Sequence, residues 1–459
     1  MKTNKCVFTI TIGLGFLLAS SSCRNLIESD FPSTQIDVSQ VFETVSTADA
    51  ALSNLYAELQ YYSVISGGSL GVGALLGTYT DDINCYIISS QNSALDLYKN
   101  QHISSNTAVL SVWTNAYKEI YSANSIINGV ENSTGISEMD KKRLKGEALF
   151  IRSLIYFYLS QIFGDVPYTT TTDYMVNQSL GKISETQLLI KIQNDLETAV
   201  VLLDDSYSNA DRIYPNRKAI QLMLSLVLMQ QKKWSEAEQQ LKNIKESPLY
   251  VWEPDVSKTF KKAGKHILWQ LKPLKANDAT EEAINYNFTT AVPNTYALSE
   301  DLVSSFTSND LRKQKWVKEI TINQNHFYRC DKYRNTTANT DEYSVIFRLE
   351  EVYLLLAESL AQQNKVGEAL PYINAVRQKA GITLLTSSSK EELLNKIVEE
   401  NRKEFFTEHG NRFLTLKRNS MLNTLISVKP NWHVYHQLWP LPISELLLNP
   451  NLNPQNTGY

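Results

Sequence analysis

Two stretches of this sequence gather the side chains that recognise sugars. Tyr79, Asp81, Asp82, Asn84 and Tyr86 follow one another just after a glycine-rich run, and Tyr286, Asn287, Tyr296, Phe327 and Tyr328 recur in a later region rich in Asn and Thr. Sugars present flat apolar faces ringed by hydroxyls, so a site for them needs aromatic platforms with amides, carboxylates or guanidiniums at the edges. A second reading stands beside the first. The chain holds 24 tyrosines, so residue type alone does not separate a ligand platform from the aromatic core of the segment carrying it.

Other chemistries find less support. Asp81 and Asp82 are adjacent and point in different directions, so they cannot be the opposed carboxylates that glycoside hydrolysis uses. Calcium takes six or more oxygen ligands, and two are in view. His433 and His436 are three apart, but no HExxH motif accompanies them, and a structural role near the Pro-rich C-terminus is expected. The chain has no GxSxG and no Gly-rich loop ending in Lys-Ser or Lys-Thr. The expectation is therefore a binding protein and not an enzyme, without metal or cofactor. Arg402, Glu404, Glu408 and Arg412 fall at helical spacing, which reads as a solvated face or a structural ion-pair network.

The elements that must position these residues are mostly helical. Ala219, Leu222, Met223, Leu226 and Val227 form one helix stripe, and Trp234, Ala237, Leu241 and Ile244 form the next, across a polar turn at 231–233. The shape recurs in Leu349, Val352, Tyr353, Leu356 and Leu360, then Val366, Ala369, Leu370, Ile373 and Val376, stopped at Gly381. Trp234-Ser-Glu-Ala237 matches Val366-Gly-Glu-Ala369, a tetratricopeptide-like feature. The copies lie farther apart than the tandem period of about 34 residues, so the hairpins are expected to be scattered through a globular body. Residues 113–130 and 145–163 predict a third pair. Ala148–Leu159 is apolar nearly all round, and Arg152 within it requires a carboxylate or carbonyl partner. Residues 67–90 and 267–347 break the pattern and read as loops and small strands, where function concentrates.

The N-terminus carries Lys2 and Lys5, an apolar run over Val7–Leu18, then small residues before Cys23. That is the layout of a secretory signal of the lipoprotein kind, with 1–22 removed and Cys23 lipidated. The whole chain is 43% hydrophobic and 20% charged with net charge −4, which gives no reason to expect nucleic acid as a partner. Cys85 and Cys330 either pair or stay as buried thiols. No linker divides the chain, so one large domain over 23–459 is expected, with parts at about 23–215 and 216–459.

Ordered blocks along the chain resemble the SusD/RagB-like nutrient-binding lipoproteins of Bacteroidetes. They include Asp30-Phe-Pro32, Trp113-Thr-Asn-Ala-Tyr117, Phe163-Gly-Asp-Val-Pro167, Arg348-Leu-Glu-Glu-Val-Tyr-Leu354, and Gly410-Asn-Arg412 ahead of Leu416-Lys-Arg418. The most specific are Trp439-Pro-Leu-Pro442 and Asn449-Pro-Asn-Leu452 through Gln455-Asn-Thr-Gly-Tyr459, with Thr457 where the family often has Pro. The resemblance implies a mainly α fold of tetratricopeptide-like hairpins within one large domain, with a loop-rich, small-strand binding half. It implies a protein anchored in the outer membrane and facing outward. The implied partner is a SusC-like TonB-dependent transporter that the lipoprotein caps as a lid. The ligand would be an oligosaccharide, or a peptide as in RagB-like relatives; a purely structural lid is the third reading.

Overall fold

A computed structural model describes residues 38–88, 93–386 and 389–459. The first predicted hairpin folds as Arg217–Gln230 and Trp234–Lys245. The Asn216 side chain accepts from the amides of Lys218 and Ala219 and so starts the first helix. The second hairpin is Leu349–Gln362 and Val366–Lys379. Both turn through a residue with positive φ, Lys232 at 60° and Asn364 at 63°. Ala237 and Ala369 are fully buried, which lets the paired helices approach closely. Gly381, at φ 70°, follows the second hairpin as expected.

The third pair is longer than its sequence stripe, Thr107–Asn132 and Glu138–Phe163. Every residue from Gly146 to Phe163 is buried, so this helix is central. Arg152 inside it finds the partner its burial demands. Asp195 of the Glu185–Leu202 helix lies 2.8 Å away, and Asn124 Oδ1 accepts from Nη1 at 2.7 Å.

The hairpins are not scattered. Helices 107–132, 138–163, 185–202, 217–230, 234–245, 349–362 and 366–379 pack one against the next in that order. Glu238 of the first hairpin accepts from Lys365 at 2.7 Å and Gln363 at 2.8 Å, in the turn of the second. Residues 246–348 are thus an insertion into a stack of helical pairs. Sequence separation misleads here because an insertion whose ends lie close together leaves the stacking contacts intact.

Within the insertion, strands β2 (Ile267–Leu271) and β6 (Ser344–Arg348) pair antiparallel and are buried throughout. Trp269 of β2 meets Phe150 of the central helix edge-on at 5.1 Å. A four-stranded antiparallel sheet has the order β1-β3-β5-β4, from Ile83–Cys85, Tyr296–Leu298, Asn325–Cys330 and Val317–Ile322. The glycine-rich stretch departs from its loop expectation, since Val72–Tyr79 is a helix. A Cβ on Gly73 would lie 2.5 Å from the carbonyl oxygen of Thr407, so this glycine serves close packing and not a turn.

The C-terminal motif works as a clasp. Gln455 exchanges two hydrogen bonds with the backbone of Leu441, at 2.8 and 2.7 Å, and Asn456 donates to the carbonyls of Phe163 and Trp439 at 2.8 and 2.7 Å. Tyr459 donates to Leu438 O at 3.0 Å. Cys85 and Cys330 are free and buried, which decides between the two expectations. Among the described residues no helix is long and apolar enough to cross a membrane. The signal segment 1–22, Cys23 and Asp30-Phe-Pro32 lie outside the described residues.

Candidate functional site

The two sugar-like stretches meet in the four-stranded sheet. Asn84 on β1 faces Ala297 on β3, and Leu298 of β3 faces Tyr328 on β5. Side chains alternate across a sheet, so Asn84, Phe327 and Arg329 share one face. The Tyr86 amide continues the pairing to Thr295 O at 2.8 Å, and its ring packs edge-on to Phe327 at 5.7 Å. Tyr98, at the end of the short helix Ala94–Tyr98, donates to Asn84 Oδ1 at 3.2 Å. Asn84, Tyr86, Tyr98, Phe327 and Arg329 all keep partial exposure. The result is an aromatic corner edged by an amide and a guanidinium.

Its supports are rigid. Arg329 is fixed by Asp331 Oδ1 at 2.6 Å and also donates to Asn287 Oδ1 at 3.3 Å and Phe288 O at 3.1 Å. Asn287 is therefore a support for the guanidinium. Beneath Tyr98 the buried Lys429 donates to the carbonyls of Thr78 and Tyr98 at 2.8 and 2.6 Å, its ammonium 4.2 Å from the Tyr98 ring centroid. Burial pushes this lysine down to about 8, against the raising influence of Asp81.

Several expected ligand contacts are instead interior. Tyr79 is fully enclosed; its hydroxyl donates to His436 O at 2.9 Å, and its ring touches His102, Phe413, Trp432, His436 and Trp439. It sits on the unforeseen 72–79 helix, which turns it inward. Tyr286 and Tyr296 are buried together with ring centroids 6.3 Å apart, and the Tyr296 hydroxyl donates to Ser69 O at 2.8 Å. They belong to the core of the binding half. Tyr328 remains partly exposed but projects from β5 on the face opposite Phe327, away from the corner.

Asp81 and Asp82 are likewise corrected. Arg412 grips Asp81 in a bidentate pair, Nε to Oδ1 and Nη2 to Oδ2 both at 2.8 Å. Arg402 reaches Asp81 at 3.1 Å, Asp82 at 2.8 Å and Asp301 at 2.7 Å. Burial raises both carboxyls. For Asp81 the hydrogen bonds and charge of Arg412 outweigh it and hold the group below the ordinary carboxylate range. For Asp82 burial and the Asp81 charge prevail over Arg402 and hold it above that range. These carboxylates tie the 72–79 helix to the Lys390–Phe405 and Asn411–Arg418 helices.

The same resolves the charged group at 402–412. It is a buried network and not a solvated face. Arg348 binds Glu404 at 2.6 Å and Glu408 at 3.0 Å; Arg312 binds Glu400 at 2.6 Å. Lys332 donates to the carbonyls of Glu404 and Phe406, both at 2.8 Å. His436 takes the structural place expected of it, accepting from His433 N at 2.9 Å. Burial pushes it down to about 4 and His102 down to about 3, so both are neutral at physiological pH. Tyr98 and Arg329 escaped the sequence reading. The apolar spacing of Ala94, Leu97 and Tyr98 signals a short helix, but nothing local places its end beside Asn84.

A helical-pair scaffold carrying an aromatic, amide-edged corner on an inserted sheet defines a binding-protein class. The chain belongs to the SusD/RagB-like family: one family model, described as starch-binding associating with outer membrane, matches residues 33–229, and a second, described as the SusD family, matches 286–459. The SusD-like protein P25 of Formosa agariphila is 23% identical over 97% of this chain and 98% of that protein. The starch-binding protein SusD of Bacteroides thetaiotaomicron is 30% identical over 35% of this chain and 28% of its own length. Among solved structures, a SusD superfamily protein from Bacteroides vulgatus superposes with a TM-score of 0.78 at 19% identity, covering 91% of this chain and all of that one. Surface glycan-binding protein A from Bacteroides thetaiotaomicron, in complex with laminarihexaose, gives 0.77 at 17% identity, with 90% and 99% covered. These two likenesses establish the shared fold.

Proposed function

We propose that this protein is a lipid-anchored lid at the outer membrane that binds oligosaccharides and delivers them to a SusC-like TonB-dependent transporter. The observation that carries the reading is the corner formed by Asn84, Tyr86, Tyr98 and Phe327, where two stretches far apart in sequence supply complementary parts of a sugar platform. The likeness to a starch-binding protein and a surface glycan-binding protein supports it. Anchoring through Cys23 and an outward orientation belong to the same proposal, as does a single domain over 23–459. No step of the proposed role makes or breaks a bond in the ligand: the protein binds and releases, and energy for transport comes from elsewhere.

A peptide ligand is the second reading, and one feature favours it. Strand β4 is an edge of the sheet, and a sheet edge can accept an extended peptide as an added strand. Lys318 and Glu319 on that edge work against such pairing, so the sugar reading is preferred. Calorimetry of the soluble form lacking residues 1–23 against panels of oligosaccharides and peptides separates the two. Saturable binding of one glycan class with a component that Tyr86→Ala removes supports the proposal. Binding of peptides alone, or of nothing without the transporter, rejects it.

A further inference from the structure

A second recess shares no residue with this corner. It is a cavity of about 420 Å³ between the 107–132 helix, the 167–180 segment and the C-terminal 445–452 segment. That volume falls in the range of about 300–1,000 Å³ typical of small-molecule sites. Trp113, Tyr117 and Tyr121 recur every fourth residue, so they stand in a row on one helix face. The first two rings lie 4.9 Å apart. An aromatic row at this spacing is usually core, but here its outer end is open: Tyr121 is 51% exposed, and Tyr174 across the cleft is 72% exposed.

Two polar groups in the recess lack partners. The indole N–H of Trp113 donates to no acceptor among the described residues and is not closed off from solvent, so it is free to bond a ligand. The Glu445 carboxylate, half-buried beside Tyr117, has no ion pair and accepts no hydrogen bond among the described residues. A donor and a carboxylate left without protein partners at the wall of one recess are available to a polar ligand. The walls are fixed before any ligand arrives. Tyr117 donates to Pro167 O at 2.8 Å, Asn124 to Thr169 O at 3.1 Å, Asn449 to Leu180 O at 2.8 Å and Asn451 to Ser179 O at 2.8 Å.

We infer that this recess is a second saccharide site, selective for an uncharged pyranose. The aromatic row and Tyr174 supply faces for a sugar ring. The indole N–H donates to a ring or hydroxyl oxygen, and Glu445 accepts from hydroxyls, a charge-assisted bond of the stronger kind. No Lys or Arg lines the recess, so the unpaired carboxylate repels uronate and sulfate groups. The inference is independent of the Asn84–Phe327 corner, and the two fail separately.

The test uses the purified full chain and saturation-transfer NMR with four neutral trisaccharides (maltotriose, cellotriose, laminaritriose and mannotriose) and with digalacturonate. Tyr121 and Tyr174 are exposed, so Tyr121→Ala/Tyr174→Ala folds normally, checked by its melting temperature. The expected result is saturable binding of at least one neutral trisaccharide that weakens about tenfold in the double variant, or ~1.4 kcal/mol, and persists in Tyr86→Ala. Glu445→Gln weakens it further and admits digalacturonate. Binding unchanged in the double variant, binding abolished by Tyr86→Ala, absence of binding to all four trisaccharides, or digalacturonate bound equally by the unaltered protein would each overturn the inference.

Discussion

Asp81→Asn separates the interior role of this carboxylate from the ligand role its neighbours suggest. The change deletes the negative charge gripped by Arg412 at 2.8 Å on both oxygens and by Arg402 at 3.1 Å. Arg412 is left 13% exposed and without its counter-ion. Breaking a buried pair by removing one partner costs about 3–5 kcal/mol, and the residual exposure of Arg412 puts the expected loss near 3. With a urea slope of about 3 kcal/mol/M the midpoint falls by roughly 1 M. Arg412→Met in the same background removes the orphan cation and restores part of the loss, giving a coupling of at least about 1 kcal/mol. The pH dependence has a defined sign. The folded Asp81 carboxyl lies below its unfolded value of about 3.9, so its contribution is complete at neutral pH and is lost as pH falls through the folded value. Urea titrations followed by far-ultraviolet circular dichroism, at neutral pH and at successively lower pH, measure all three quantities. A midpoint within roughly 0.2 M of the unaltered protein, together with lost oligosaccharide binding, would refute the interior assignment and return Asp81 to the ligand site; that shift corresponds to under about 1 kcal/mol.

Tyr79→Ala should lower stability by about 3–5 kcal/mol, as for other large-to-small aromatic changes in a core, whereas Tyr86→Ala should leave the melting temperature almost unchanged and lose ligand; calorimetry beside thermal scans distinguishes them. Glu282, pushed up to about 7 by burial with Ser344 donating at 2.7 Å, binds its proton more tightly in the folded chain. Stability should therefore decline as pH rises from the unfolded carboxyl value of about 4.3 to 7, and Glu282→Gln should flatten that decline in urea midpoints taken at pH 5 and 8. In the form lacking residues 1–23, Cys85 and Cys330, buried and free, should resist a thiol reagent in the native protein and both react in denaturant, giving two equivalents by absorbance.

The helical hairpins were legible in the sequence because their apolar stripes are local and repeat at the helix period, and Arg152 announced a partner because burial forces one. The blocks that resemble the family also pointed to the fold, and in the C-terminal one Gln455, Asn456 and Tyr459 bind backbone atoms of neighbouring elements. Composition also picked the two stretches that meet in the sheet. Which of their side chains face solvent was not legible. Tyr79 and Tyr86 look alike in a sequence, but one lies on a helix whose glycines let it sink into the core, and the other leaves a strand at the sheet's edge. The pairing of Asp81 with Arg412, and of Tyr86 with Phe327, joins positions hundreds of residues apart. Such contacts depend on how distant segments fold back on one another, a matter of long-range packing that no local pattern of residues encodes.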